Sequence, residues 1–230
     1  MYKLNRILII ISITIAFLIT AGCTHYSKVP DYSLRNQPIF AIDNKINLSV
    51  ALVQNEEFQK AKWEIHAAGD TWLLEIGQQL AKNSNELASI LFKNVITTDA
   101  GTGKTNGRID ALLTPRVVAI EKSLGAIRGD YIITTIVLEW KLEDNKNNLI
   151  WIDTVKGKGR TTVPSDDETA NTMLLDDLFR NSFQAMKSSP EIRKFADTLQ
   201  KLRELKKLKD EGLLNDTEYE QKRKAIADGI

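Results

Sequence analysis

Cysteine is nearly absent. The 230-residue chain has one, Cys23, so no intramolecular disulfide can form. The fold must then be held by its core, for which a hydrophobic content of 43% is adequate. Histidine is almost as scarce. His25 and His66 are the two present, too few beside one cysteine for the convergent ligands of a zinc site. Neither sign of charge predominates, with 31 Lys and Arg against 30 Asp and Glu. Removing residues 1–22, which hold Lys3 and Arg6 and no acid, turns a net charge of +1 into −1. So even a balance lacks the dense basic surface that nucleic-acid backbones require, and no nucleic-acid partner is expected.

Catalytic signatures are missing too. There is no Gly-x-Ser-x-Gly elbow for a nucleophilic serine. Ala100-Gly101-Thr102-Gly103-Lys104-Thr105 ends like a phosphate-binding loop. That motif needs a glycine where Thr98 stands, and a helix after its Lys-Thr. Asn106-Gly107-Arg108 and an apolar strand follow instead, so the segment reads as a loop and no nucleotide is expected. His66, with Glu64 and Asp70 nearby, has the residue types of an acid–base site but reads as a lone surface or structural histidine. The chain is expected to be non-enzymatic, with no catalytic residue, cofactor or metal.

What is present begins at the N-terminus. Lys3 and Arg6 precede an apolar run from Ile7 to Ile19, and Thr20-Ala21-Gly22-Cys23 follows. Basic n-region, apolar stretch and small residues are the layout of an export signal. The run is shorter than the roughly 20 apolar residues a membrane-spanning helix needs. The segment resembles the bacterial lipobox, although Thr20 stands where leucine is commonest. The resemblance implies cleavage after Gly22 and a diacylglycerol thioether on Cys23. Two or more acyl chains make such attachment effectively stable. Thr24 in place of aspartate implies, by likeness to enteric Gram-negative lipoproteins, delivery to the outer membrane facing the periplasm. Residues 23–44, with Pro30 and Pro38, read as a polar lipidated tether.

Residues 45–187 read as an α+β domain. Ile46 to Val53 is a strand, and residues 60–67, with Trp63 and Ile65 on one face, are a second. Ala68-Gly69-Asp70 is a turn, and Thr71 to Ile76 fits strand or helix equally. Leu80, Leu87, Leu91 and Val95 recur at helical spacing, predicting an amphipathic helix over 77–95, with Lys82, Asn83, Asn85 and Glu86 on its other faces. Ile109 to Lys122 reads as a strand with an edge or bulge at Pro115. Tyr131 to Leu142 and Leu149 to Lys156 form a hairpin about Asp144-Asn145-Lys146-Asn147. A turn centred on Asn145-Lys146 sets Trp140 opposite Trp151 and Leu142 opposite Leu149, a favourable aromatic pair. A helix over 166–187 carries Met173, Leu174, Leu178, Phe179 and Phe183 as its stripe. The result is a mixed, mostly antiparallel sheet packed by two helices. In layout it resembles the small periplasmic lipoprotein modules related to the TolB N-terminal domain and to curli-secretion lipoproteins.

Residues 191–230 are rich in charge. Leu199, Leu202, Leu205 and Leu208 recur among lysines and glutamates, and Gly212 stands where a helix would end in a left-handed residue. Leu213-Leu214-Asn215-Asp216-Thr217-Glu218 restarts it: Asn215 can cap, Glu218 can reach back, and Leu214 can meet Tyr219. Tyr219 and Ile226 lie a heptad apart. The stretch from Leu205 to Ile226 resembles the SHOCT (short C-terminal domain) family. The resemblance implies a two-helix hairpin serving oligomerisation or docking. A hairpin this small buries too little surface to be stable alone, so its leucine face should pack on the main domain, on another copy or on a different protein. The candidate interaction residues are therefore Leu202, Leu205, Leu208, Gly212, Leu213, Leu214, Tyr219 and Ile226.

The whole reads as a lipid-anchored envelope protein, a binding or assembly module held to the membrane through Cys23, with a protein partner or a second copy at its hairpin. The alternative is a small-ligand carrier or hydrolase with its site in a cleft beside residues 99–107. Cys23→Ala should leave the precursor uncleaved and without lipid, as metabolic labelling with palmitate would show. Normal incorporation into that variant would refute the anchor.

Overall fold

The structure, a computed structural model, describes residues 23–27, 29–35, 37–67, 70–98, 109–124, 131–162 and 167–227. The expected export signal with Gly22, the turn residues Ala68 and Gly69, and the loop at 99–107 lie outside the described residues.

The domain is α+β. Its larger sheet has the strand order β5-β2-β6-β7-β8, formed by β2 (Ile46–Val53), β5 (Phe92–Thr98), β6 (Ala111–Leu124), β7 (Tyr131–Asp144) and β8 (Leu149–Thr162). β2 is parallel to both β5 and β6, and the long β6-β7-β8 ladders are antiparallel. A second sheet, ordered β1-β4-β3, contains β1 (Thr24–Tyr26), β3 (Lys62–Ala67) and β4 (Asp70–Glu75). The segment that fitted strand or helix is thus strand β4. A short helix α1 (Glu56–Gln59) precedes β3, capped by Asn55, whose Oδ1 accepts from the Phe58 N–H at 2.8 Å.

β2 pairs only with the first residues of β6, Ala111 to Leu113. Pro115 lies just beyond, where a missing N–H on that side costs no ladder bond. The register then shifts between Val117 and Ala119, leaving Val118 exposed as a bulge. One face of the sheet is covered by α2 (Gly77–Leu91), α3 (Asp167–Ser188) and the first half of a third helix, α4 (Pro190–Asp210). Among the described residues no helix is long and apolar enough to cross a membrane.

Four expectations need correction. The helix expected to reach Val95 ends at Leu91, and Phe92 to Thr98 is a strand. The β-branched run Val95-Ile96-Thr97-Thr98 favours pleated structure, and pairing with β2 decides it. The hairpin register also differs. Leu142 faces Trp151, Trp140 faces Asp153, and Glu143 faces Leu149 across a bulge. The turn is the cause: Asn147 takes φ 65°, and the Asp144 carboxylate accepts from the Lys146 and Asn148 N–H groups, both at 2.8 Å. Fully buried Trp140 instead donates its indole N–H to Ser182 Oγ on α3 at 3.0 Å. Met173, expected in the apolar stripe of α3, is exposed, and Leu175 is buried there.

The fourth concerns the tether. Tyr32, Leu34 and Phe40 are buried in the core, and Phe40 meets Phe183 edge-on. The polar face of α2 holds this segment. The Tyr32 carbonyl accepts from Gln79 at 2.6 Å and Asn83 at 2.9 Å, and the Leu34 N–H donates to Glu86 at 2.7 Å. Buried irregular backbone requires such partners, and Asn83 and Glu86 are themselves buried.

The Tyr32 hydroxyl donates to Asp176 on α3 at 2.8 Å. Burial first, and then the bond to Asp176, raise its ionisation above the ordinary tyrosine range. The folded chain therefore keeps this proton where the unfolded chain loses it. Tyr32 supports the fold fully below its unfolded pKa near 10, and that support declines as pH rises further. In denaturant titrations Tyr32→Phe should lose about 1 kcal/mol at neutral pH and show a weaker alkaline decline than the parent. An unchanged decline would refute the assignment.

Candidate interaction site between the helical hairpin and the sheet

α4 is seated at its N-terminus by Ser189, whose Oγ accepts from the Ile192 N–H at 3.2 Å. Ile192, Phe195 and Ala196 are buried in the domain core, and Leu199 packs against it. Past Leu199 the helix leaves the core and crosses the end of the sheet at which β2 and β6 begin. A second helix, α5 (Asp216–Ala227), folds back along it.

The hairpin corner has the expected geometry. Gly212 has φ 74°, and the Leu213 N–H donates to the Leu208 carbonyl at 3.0 Å, the 6→1 bond of a Schellman end. Asn215 Oδ1 accepts from the Glu218 N–H at 2.9 Å, and Glu218 accepts from the Asn215 N–H at 3.1 Å, a reciprocal capping box. Lys209 ties the helices together, 2.9 Å from Asp216 and 4.6 Å from the centre of the Tyr219 ring.

Where the hairpin meets the sheet, Asp110 is the anchor. Its carboxylate accepts from the Ser49 N–H at 2.8 Å and from Arg203 at 2.5 Å, and Arg203 also donates to the Asn47 carbonyl at 3.4 Å. The Asp110 side chain is 8% exposed and that of Arg203 35%. An open cleft of about 730 Å³ lies over this pair, bordered by Ile109, Leu202, Lys206, Tyr219 and Arg223. Cations and carboxylates both line it, Asp210 and Glu211 among Lys206, Lys207 and Arg223.

The sequence-predicted residues separate by position. Leu205 is buried, and Leu202, Leu214, Tyr219 and Ile226 are half-buried. Leu202 and Tyr219 line the cleft. Leu208 is 40% and Leu213 67% exposed, at the outer end of the hairpin. Cys23 is exposed, immediately before β1, and does not line this cleft. His66 lies 3.3 Å from Glu64 and 2.8 Å from the Thr71 hydroxyl, on the exposed small sheet. Among the described residues no group of three or more His, Cys, Asp and Glu is placed to hold a metal ion.

Asp110 and Arg203 were not singled out from sequence. One sign was available: Arg203 falls four residues after Leu199, so a cation occupies the apolar face of α4.

No family model matches the chain, and no curated protein matches it by sequence. Among solved structures, a protein of the DUF330 family from Xanthomonas campestris is 11% identical. It covers 76% of this chain and 99% of its own length, with a TM-score of 0.47. A PelC dodecamer from Paraburkholderia phytofirmans is 13% identical, covering 61% of this chain and 92% of its own, with a TM-score of 0.33. The functional reading therefore rests on this chain's own residues.

Removing Arg203 strands a nearly buried carboxylate. A fully buried pair would lose about 3–5 kcal/mol, and the exposure of Arg203 lowers this to about 1–2 kcal/mol. Arg203→Met should therefore speed hydrogen exchange in α5 and the second half of α4 while leaving α2 unchanged. Uniform exchange across all helices would count against a local clasp.

Proposed function

We propose that the chain is a lipid-anchored, non-enzymatic envelope protein, a binding or assembly module that docks or self-associates through its C-terminal hairpin. The observation that carries this reading is the exposure of Leu208 and Leu213 beside buried Leu205. Leu208 and Leu213 occupy the C3 and C″ positions of the Schellman end, where a local apolar contact is usual, and the surface they still leave in water at the corner suits an interface. The lipobox likeness at Thr20 to Cys23 supports attachment to a membrane, with the outer membrane as the proposed address. The likeness of Leu205 to Ile226 to the SHOCT family supports the docking role.

The second reading, a small-ligand carrier or hydrolase beside residues 99–107, draws support from the cleft at Ile109 and Asp110, which follow that segment after Arg108 in the sequence.

In-cell crosslinking of the tagged, lipidated chain separates the two. Leu208→Glu with Leu213→Glu changes only exposed positions, so stability should move little. The parent should crosslink to itself or to a defined envelope protein, and the double variant should lose that product. Equal products from both would remove the hairpin from the reading and turn attention to the cleft.

A further inference from the structure

The segment bearing Cys23 is paired into the small sheet. The Cys23 carbonyl accepts from the Thr71 N–H at 2.9 Å, and the Ser27 N–H donates to the Leu73 carbonyl at 2.8 Å. Between them Thr24 to Tyr26 pair in parallel with Thr71 to Leu73. The Ser27 hydroxyl then accepts from Lys122 at 3.3 Å, near the far end of β6. A free coil over residues 23–44 would let the domain wander by roughly 25 Å. Paired into the sheet, Cys23 leaves only its own side chain and amino group as a leash.

Strand β6 sets the other dimension. Near one end Lys122 meets Ser27, and just before the other Asp110 binds Arg203 of the hairpin. At about 3.3 Å per residue the separation along the strand is roughly 40 Å.

We infer that the chain stands as a rigid post on a lipid bilayer, which meets the Cys23 end of the three-stranded sheet around Thr24, Thr71 and His66, while the Asp110–Arg203 clasp that carries the hairpin is held at the opposite end of β6, roughly 40 Å along the strand. These three residues face one another across β1, β4 and β3, and the His66 side chain is exposed. The inference rests on the proposed lipid at Cys23 and adds the orientation. The hairpin's partner, a second copy anchored to the same surface included, must then meet it in the aqueous layer and not within the bilayer.

The test uses the lipidated chain in vesicles of phosphatidylethanolamine and phosphatidylglycerol that carry a nitroxide on the headgroup. His66→Cys and Leu213→Cys are each labelled with a fluorophore at the new thiol, Cys23 being consumed by lipid. The label at position 66 should lose most of its emission, and the label at 213 should keep it. A long Gly-Ser spacer inserted between Cys23 and Thr24 should relieve quenching at 66. Equal quenching at both positions, or stronger quenching at 213, overturns the inference. Vesicle flotation and thiol labelling of the parent chain read the lipid separately. A parent that takes up fluorophore or fails to float refutes the anchor and the orientation together, whereas floating with equal quenching refutes the orientation alone.

Discussion

Helix α3 lies so close to β8 that no side chain fits between them at two positions. A Cβ on Gly157 would come within 2.4 Å of the Leu178 Cβ, and one on Gly159 within 1.9 Å of the Ala170 carbonyl oxygen. The remaining features follow from this approach. Leu174, Leu178, Phe179 and Phe183 reach the sheet and bury Trp140. Asp177 accepts from the Lys158 N–H at 3.0 Å, and Asn181 donates to the Lys156 carbonyl at 2.8 Å. Those backbone groups lie on the open edge of β8, where unpaired groups invite another strand. The helix thus closes the edge it leans on. Because α3 runs through Ser189 directly into α4, its seating also sets where the hairpin is presented.

Elements whose pattern is local were legible in the sequence. The strands of the hairpin, the helix at 167–188, the left-handed Gly212 and the Asn215–Glu218 capping box each depend on residues within one turn or one alternation. Competition between neighbouring patterns defeated the rest. Val95 fits both a helical stripe and a β-branched run, and only β2, more than forty residues earlier, breaks the tie. The hairpin register depends on a left-handed Asn147 and an aspartate binding backbone amides, and neither alters the alternation that the sequence displays. At the candidate site, the leucine spacing identified the hairpin but not the sides of its helices. Leu205 and Leu208 are equivalent in sequence, and the sheet end decides which is buried.

The polar residues of α2 illustrate the same limit from the other direction. Asn83 and Glu86 look like a solvated face when the helix is considered alone. In the fold they supply the hydrogen bonds that let an irregular segment carry Tyr32 and Leu34 into the core. A segment of low hydrophobicity can be well ordered when a neighbouring helix satisfies its backbone, so composition alone misjudged residues 23–44 as a tether. The consequence reaches function, because slack in that segment decides whether an anchored domain has a fixed orientation.

Orientation matters because the hairpin corner is a weak adhesive by itself. Leu208 and Leu213 together leave roughly one leucine side chain of surface in water, worth about 1.5–3 kcal/mol on burial. Two copies meeting through these corners would gain about twice that. A dissociation constant of about 1 mM already requires 4.1 kcal/mol, after the several kcal/mol lost in translational and rotational freedom. In free solution such a contact would scarcely form. Chains held to one surface with a common orientation surrender most of that freedom to the anchor, which raises the effective concentration of each corner for the next. On the proposed reading, attachment supplies the proximity and the rigid leader the alignment. The corner then needs only enough apolar surface to choose its partner.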